Sequence, residues 1–360
     1  MKRIEVHLGE RSYDIRINDQ SGIADFFRST GKKISKVFLV GDTNTSPLVA
    51  QVGAEFASSA WPVHDILIPA GEASKSLAMA ERVYDELASW PADRHTLVLA
   101  IGGGVVGDLA GFVAATYNRG LLLGMVPTTL LAMVDSSVGG KVGINHRQGK
   151  NLIGAFHQPA GVWIVTDFLH SLPEREYRSG LAEVIKYGVI LDDYFFAWLE
   201  NHRSQVIQRD REALEYIVAR SCELKANVVE KDEREETGLR MILNYGHTFA
   251  HAFETVAGYG TWLHGEAVAA GMICASRLAR ALHLIDGEVL TRQIDLLRSL
   301  ELPVTIPASW HRKDLLASMY RDKKTVAGSL RFILPTRLGE VKLVSEVSET
   351  LVEQILEESR

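Results

Sequence analysis

Only two cysteines, Cys222 and Cys274, occur in the 360 residues, far apart and in no metal-type pairing. That scarcity excludes a disulfide framework and fits a reducing, cytoplasmic setting, with both thiols expected in the interior. Long hydrophobic runs are missing too. The longest, 120–134, is broken by Pro127, Thr128 and Thr129 and is too short to span a bilayer, so it reads as a buried strand entering a helix. There is no cationic excess. A formal net charge of −6 argues against a nucleic-acid or anionic-membrane partner, so any basic pocket must be local. Residues 1–7 alternate polar and apolar side chains without the apolar core of a signal peptide, and read as a first strand. No repeat or low-complexity segment is visible.

What is present is an ordinary globular composition, 46% apolar and 23% charged, at a length that favours two domains over one. Short β-rich runs at 37–40, 65–68, 96–101, 121–126 and 162–165, with a helical stretch at 74–90 between two of them, predict a parallel sheet with helices on its faces. From about Pro173 the texture changes. Segments 174–191, 210–231, 246–257 and 265–282 carry helical periodicity and β-rich runs nearly vanish. The expected architecture is therefore an α/β, Rossmann-like domain over 1–172 and an all-α domain over 173–360.

Ile101-Gly102-Gly103-Gly104-Val105-Val106-Gly107-Asp108 follows a predicted strand and opens a helix, so its glycines can bring backbone N–H groups against a pyrophosphate. It satisfies the spacing of the dinucleotide fingerprint but sits on a late strand, with no acidic strand end about twenty residues on. Asp42, which precedes the loop, is an alternative ribose ligand. A tight strand-to-helix turn explains the glycines equally well. A second Gly-rich block, Asp135 to Lys141 with Gly149-Lys150-Asn151, is either a phosphate-holding lysine cluster or a solvated loop. Gly71-Glu72-Ala73-Ser74-Lys75 also precedes a helix, with Ser74 a candidate N-cap.

His247 and His251 are four apart and share a helical face, with His264 thirteen residues further on. Three such groups can assemble a transition-metal site, although histidines on a helix also occur as core or surface groups. A carboxylate ligand is still wanted, and Glu183, Glu254 and Glu266 are candidates. Spacing favours His247 with His251 and one distant ligand, without excluding His247, His264 and Glu183.

Taken together, Glu72 to Lys75, Gly102 to Phe112, Pro127 to Lys141, Lys150 to Phe156, Gly180 to Gly188 and Asn244 to His251 closely resemble the 3-dehydroquinate synthases. The resemblance runs in order over most of the chain, from about residue 40 to 335. It implies a sugar phosphate cyclase with an NAD-binding domain, a helical metal-binding domain and substrate between them, acting as a carbon–oxygen lyase in a homodimer. The implied metal ligands, for Zn2+ or Co2+, are Glu183, His247 and His264, with His251 turned to substrate. The implied reaction converts 3-deoxy-D-arabino-heptulosonate 7-phosphate to 3-dehydroquinate and phosphate. NAD+ oxidises one hydroxyl, phosphate leaves by β-elimination, the hydride returns, and an intramolecular aldol closes the carbocycle.

Carried over by the same resemblance, Arg119, Lys141, Lys186, Lys225, Arg240 and Lys324 line the substrate site, Asn151 and Asn244 bind its polar groups, and Asp135 its hydroxyls. The implied NAD contacts are Asp42, Gly71, Glu72, Lys75, Gly104, Val105, Val106, Gly107, Asp108, Thr128, Thr129, Lys141, Lys150, Phe168, Leu169, His170 and Ser171. The chain departs from the family's usual wording at Tyr245, Ala250, Phe253 and Met133, none of them a proposed ligand. Competing readings are a cyclase acting on another sugar phosphate, a metal-dependent alcohol dehydrogenase of related architecture that releases NADH, and an inactive nucleotide- and metal-binding protein. Arg240, Asn244 and Lys324 favour a substrate that bears a carboxylate.

Overall fold

A computed structural model of the chain describes residues 2–258, 260–321 and 330–360; Lys324 lies outside them. Two compact units result, one comprising the chain up to Leu172 together with Lys225–Arg234, the other Pro173–Leu224 and Glu235–Arg360.

The first unit is built on β1 (Lys2–Val6), β2 (Tyr13–Ile17), β3 (Lys36–Asp42), β4 (Val63–Ile68), β5 (Thr96–Gly102), β6 (Leu122–Pro127), a hairpin of β7 (Lys141–His146) with β8 (Gly149–Phe156), and β9 (Gly161–Ile164). Seven of these strands form one sheet in the order β1-β2-β9-β6-β5-β3-β4, parallel except for the β1–β2 edge. Helices α1 (Ile23–Ser29), α2 (Ser46–Ser58), α3 (Leu77–Ser89) and α4 (Gly104–Thr116) connect them. Every residue of β5 is buried, as expected of a strand covered on both faces. Phe26, Phe27 and Phe56 pack with Leu97, Leu99 and Trp163 in the core. Ser76, not Ser74, caps α3, its Oγ accepting from the Met79 amide at 3.3 Å. Ser74 instead donates its hydroxyl to the Pro69 carbonyl at 2.6 Å.

From β3 the chain moves outward to β4 and then returns to β5 on the other side of β3. Open parallel sheets bind ligands at the carboxyl ends of strands where the winding reverses in this way. Asp42 ends β3 and Gly102 ends β5, so the glycine loop stands at that reversal although it follows a late strand.

The second unit contains α5 (Glu174–Leu191), α6 (Asp193–Asn201), α7 (Arg203–Ile207), most of α8 (Arg211–Lys231), α9 (His247–Ala257), α10 (His264–Ala281), α11 (Gly287–Ser299), α12 (Arg312–Arg321) and α13 (Glu349–Glu358). It also holds an antiparallel hairpin of β10 (Arg331–Arg337) and β11 (Glu340–Ser345), which the helical pattern does not foretell. Helix α10 is rich in alanine and glycine and buried on nearly all sides, because α5, α9, α11, α13 and β10 all pack against it.

Residues 225–234, placed by sequence in the second domain, group with the first unit. Specific bonds hold them there: Glu230 Oε1 accepts from the His7 amide at 2.7 Å, and Glu233 accepts from Arg11 at 3.1 and 2.7 Å and from Gln158 at 3.0 Å. Among the described residues, no helix is long and apolar enough to cross a membrane.

Candidate active site

Three helices of the second unit converge on one point. Glu183 lies midway along α5, His247 opens α9 and His264 opens α10. Two close backbone approaches fix this convergence. A Cβ on Gly265 would sit 1.8 Å from the Ser179 carbonyl oxygen, and the Gly265 amide donates to Ser179 Oγ at 3.0 Å. Ser179 is one turn before Glu183, so this contact sets His264 beside the carboxylate. Likewise a Cβ on Gly271 would lie 2.4 Å from the carbonyl oxygen of Gly246, whose φ is +78°, which presses the start of α9 onto α10.

His247 Nε2 and His264 Nε2 stand 3.4 and 3.6 Å from Glu183 Oε1, and the three ligand atoms lie within 4.8 Å of one another. Glu183 is fully buried, forms an ion pair with Lys186, and has no hydrogen-bond partner of acceptable geometry on either oxygen. A buried carboxylate without such bonds is costly unless cations lie against it, and Lys186 supplies one of them. Two imidazoles and a carboxylate are a common donor set for a three-ligand metal site with an open position, so these residues fit a divalent ion. The outer nitrogens are engaged as such a site requires. His247 Nδ1 donates to the Tyr245 carbonyl at 3.0 Å and His264 Nδ1 faces Glu254 Oε2 at 3.4 Å, which leaves each Nε2 for a metal.

The other two carboxylates thereby find different work. Glu254 is the outer partner of His264, while Glu266 accepts from the Leu263 amide at 2.8 Å and from Arg175 at 2.7 and 2.8 Å, fastening the start of α10. His251, favoured by helical spacing, is outside the convergent set among the described residues. Its ring meets that of His247 edge-on, centroids 5.7 Å apart. The two do share a face, but Glu183 of α5 and the Gly246–Gly271 approach meet α9 at its start, where His247 stands.

Burial pushes the Glu183 carboxyl up, yet the Lys186 charge and the two imidazoles outweigh it and hold the group well below the usual range. Burial pushes His264 down, but Glu254 and Glu183 more than reverse this and raise it to about 10. In the metal-free protein the stability contributed by protonated His264 is fully present below its ordinary value and is lost as pH rises through about 10. A metal ion must displace that proton. Metal affinity is therefore expected to fall about tenfold for each unit of pH decrease across neutrality, read from titrations at several pH values. A pH-independent affinity would contradict this assignment.

The second unit also buries Lys186, which pairs with Glu183, and Arg240, and Asn244 is half-buried at the end of a short turn, Leu239–Asn244.

In the first unit, α4 begins after Gly103 with no side-chain cap, so its leading amides, Gly104 to Val106, form an open positive helix end. The Thr128 amide donates to the Gly102 carbonyl at 2.9 Å and Thr45 Oγ to that of Ile101 at 3.1 Å, knitting the strand ends together. Asp42 Oδ1 accepts the Asn44 and Thr45 amides at 2.9 and 3.0 Å and is committed to that turn. Thr129 Oγ accepts from the Ala132 amide at 3.1 Å, just before a π-helical turn, Ala132–Ser136, that carries Asp135. Such bulges often mark functional positions. Lys225 Nζ donates to the Asp135 carbonyl at 2.7 Å and to its Oδ1 at 2.6 Å.

Lys75 is buried and meets both the Asp108 carboxylate and the Asn151 side-chain oxygen. Burial raises the Asp108 carboxyl, and the Lys75 charge opposes this without reversing it. Asn145 ties the cluster together and is absent from the sequence-derived set. Its side chain donates to Glu72 at 2.7 Å and accepts from the Asn151 amide at 3.0 Å, and its own amide donates to the Lys75 carbonyl at 2.9 Å. The block around Lys141 and Lys150 is thus a hairpin docked on the 72–75 turn rather than a free loop.

Other sequence-derived residues sit further out. Lys141, Gly71, His170 and Ser171 are exposed and Lys150 is half-buried, while Phe168 packs against the core and Leu169 is fully buried. Arg119 is exposed on a turn where Asn118, Arg119 and Gly120 have φ of 50°, 64° and 123°.

Residues 65–179 match the family described as 3-dehydroquinate synthase N-terminal, and 180–325 that described as 3-dehydroquinate synthase C-terminal. A 3-dehydroquinate synthase from Desulforamulus reducens is 50% identical over 99% of this chain and 99% of its own. Among solved structures, a 2-deoxy-scyllo-inosose synthase complexed with carbaglucose-6-phosphate, NAD+ and Co2+ matches with a TM-score of 0.89 at 25% identity, covering 100% of both chains. The 2-epi-5-epi-valiolone synthase from Streptomyces hygroscopicus subsp. jinggangensis 5008, with NAD+ and Zn2+ bound, matches with a TM-score of 0.88 at 30% identity over 98% of each. With its two halves matched in order and half of its residues identical to a full-length relative, the chain belongs to the 3-dehydroquinate synthase family.

Proposed function

We propose that this enzyme converts 3-deoxy-D-arabino-heptulosonate 7-phosphate to 3-dehydroquinate and phosphate, a carbon–oxygen lyase step on the shikimate route to aromatic amino acids. The observation that carries the reading is the convergence of His247 and the half-buried His264 on the fully buried Glu183, with Lys186 against it, in a chain of this family.

A divalent ion held by Glu183, His247 and His264 would supply Lewis-acid polarisation of substrate oxygens. NAD+, with its pyrophosphate at the α4 amides, would supply a hydride acceptor and donor within one turnover. The remaining work falls to the chain's own residues. Oxidation of one substrate hydroxyl acidifies the adjacent C–H, and phosphate then departs by β-elimination. In the second unit, Lys186 and Arg240 offer buried cations to the substrate's anionic groups, arginine suiting bidentate carboxylate or phosphate contact. Asn244 hydrogen-bonds polar substrate atoms, and His251, edge-on to His247, orients substrate or carries a proton. In the first unit, Lys225 fixes Asp135 for hydroxyl binding, Asn151 is held by Lys75, and Lys141 and Arg119 provide exposed charge.

A cytoplasmic homodimer is part of the proposal; both cysteines are buried thiols outside any disulfide, in keeping with a reducing compartment. The reading is tested by product analysis. Protein stripped with chelator and freed of nucleotide should release neither phosphate nor 3-dehydroquinate, and adding back NAD+ with Zn2+ or Co2+ should restore both. Phosphate release indifferent to both additions would refute it.

A further inference from the structure

Tyr245 immediately precedes the glycine that starts the metal helix, and its side chain is fully buried. Its hydroxyl lies 3.0 Å from the Met272 carbonyl and 2.7 Å from Ser276 Oγ, both on α10, and 2.8 Å from Gln293 Oε1 on α11. Ser276 and Gln293 are themselves bonded at 3.0 Å, and Gln293 Nε2 donates to the Val289 carbonyl at 3.3 Å, which fixes the amide with its oxygen toward Tyr245. Two hydroxyl protons are thus shared among acceptors buried from the surface, a network that specifies one geometry. At its other end the same residue acts on the site, since the Tyr245 carbonyl accepts from His247 Nδ1 at 3.0 Å.

We infer that Tyr245 is the positioning residue for His247: α10 and α11 grip its hydroxyl, and its carbonyl thereby holds the imidazole in the tautomer and rotation that present Nε2 to the metal. The inference rests on the metal site assigned above to Glu183, His247 and His264. Core packing alone would be served by an apolar ring, whereas here three polar groups from two other helices meet one phenol. Helix α10 also carries His264, so one network references both histidines to the same helix.

The test compares wild type with Tyr245→Phe, which keeps the ring and leaves Ser276 bonded to Gln293. Co2+ dissociation constants are measured by competition with a chromogenic chelator, alongside the visible absorption of bound Co2+ and the melting temperatures of metal-free and Co2+-loaded protein. The dissociation constant is expected to rise roughly tenfold, at the lower end for loss of an outer support, with an altered Co2+ spectrum and a smaller melting-temperature gain on loading. Should Tyr245→Phe fail to fold, Ser276→Ala, which removes one partner, is expected to raise the constant in the same direction by a smaller factor. Unchanged affinity and spectrum, with both melting temperatures lowered equally, would overturn the inference and leave Tyr245 a packing residue. Wild type that takes up no Co2+, or takes it up as well after Glu183→Gln, would instead sink the metal-site assignment.

Discussion

Glu183→Gln is expected to abolish stoichiometric metal and to lower turnover by at least about a thousandfold, on the order of 4 kcal/mol of lost transition-state stabilisation. His251→Ala is expected to keep the metal while turnover drops. The contrast follows from geometry: Glu183 Oε1 is within 3.6 Å of both Nε2 atoms, whereas His251 is outside the convergent set. Removing the charge also leaves Lys186 buried beside a neutral amide, so the metal-free variant should be destabilised as well. Metal content by atomic absorption, read with initial rates, separates the two variants. Equal metal loss in both would restore the pairing that helical spacing favours.

Gly265→Ala carries the second largest expected effect. Its methyl group would fall 1.8 Å from the Ser179 carbonyl oxygen, a backbone atom that cannot rotate away, so α10 must shift against α5. Overpacking of this kind costs about 1–3 kcal/mol of stability. The shift also draws His264 from Glu183, and metal affinity is expected to fall at least about tenfold. Gly287→Ala is the control, because nothing lies within 4 Å of a Cβ there and α11 should be indifferent to it. Calorimetry with and without metal gives both effects, and a Gly265→Ala protein as stable and as metal-competent as wild type would refute this account of the convergence.

Period and punctuation revealed much of this molecule. The all-buried β5 reads as a near-continuous apolar run and the start of α5 after Pro173 as a change of period, so both are legible without coordinates. The β10–β11 hairpin is not, because β11 is mostly exposed or half-buried and shows no clean alternation. Nor is the attachment of residues 225–234 to the first unit, since the helical period of α8 runs unbroken through residue 231 while the bonds that fasten its end come from distant Arg11, His7 and Gln158.

At the site, spacing finds the neighbourhood but not the partners. A carboxylate 64 residues before His247 cannot be chosen by periodicity, and the contacts that choose it, Ser179 with Gly265 and Gly246 with Gly271, are backbone approaches that leave only an unexplained glycine in the sequence. Asn145 is hidden for a similar reason. Its three bonds depend on a hairpin docking against the 72–75 turn, and nothing in the order of residues announces that docking.

The central claim is a cyclisation that borrows and returns a hydride. It is tested most directly by counting phosphate against NADH with metal-loaded protein, the heptulosonate phosphate and NAD+ held far below substrate. Many phosphates released per NAD+, with no net rise in nicotinamide absorbance, is the predicted result; one NADH accumulating for each turnover would contradict it and make the chain a dehydrogenase.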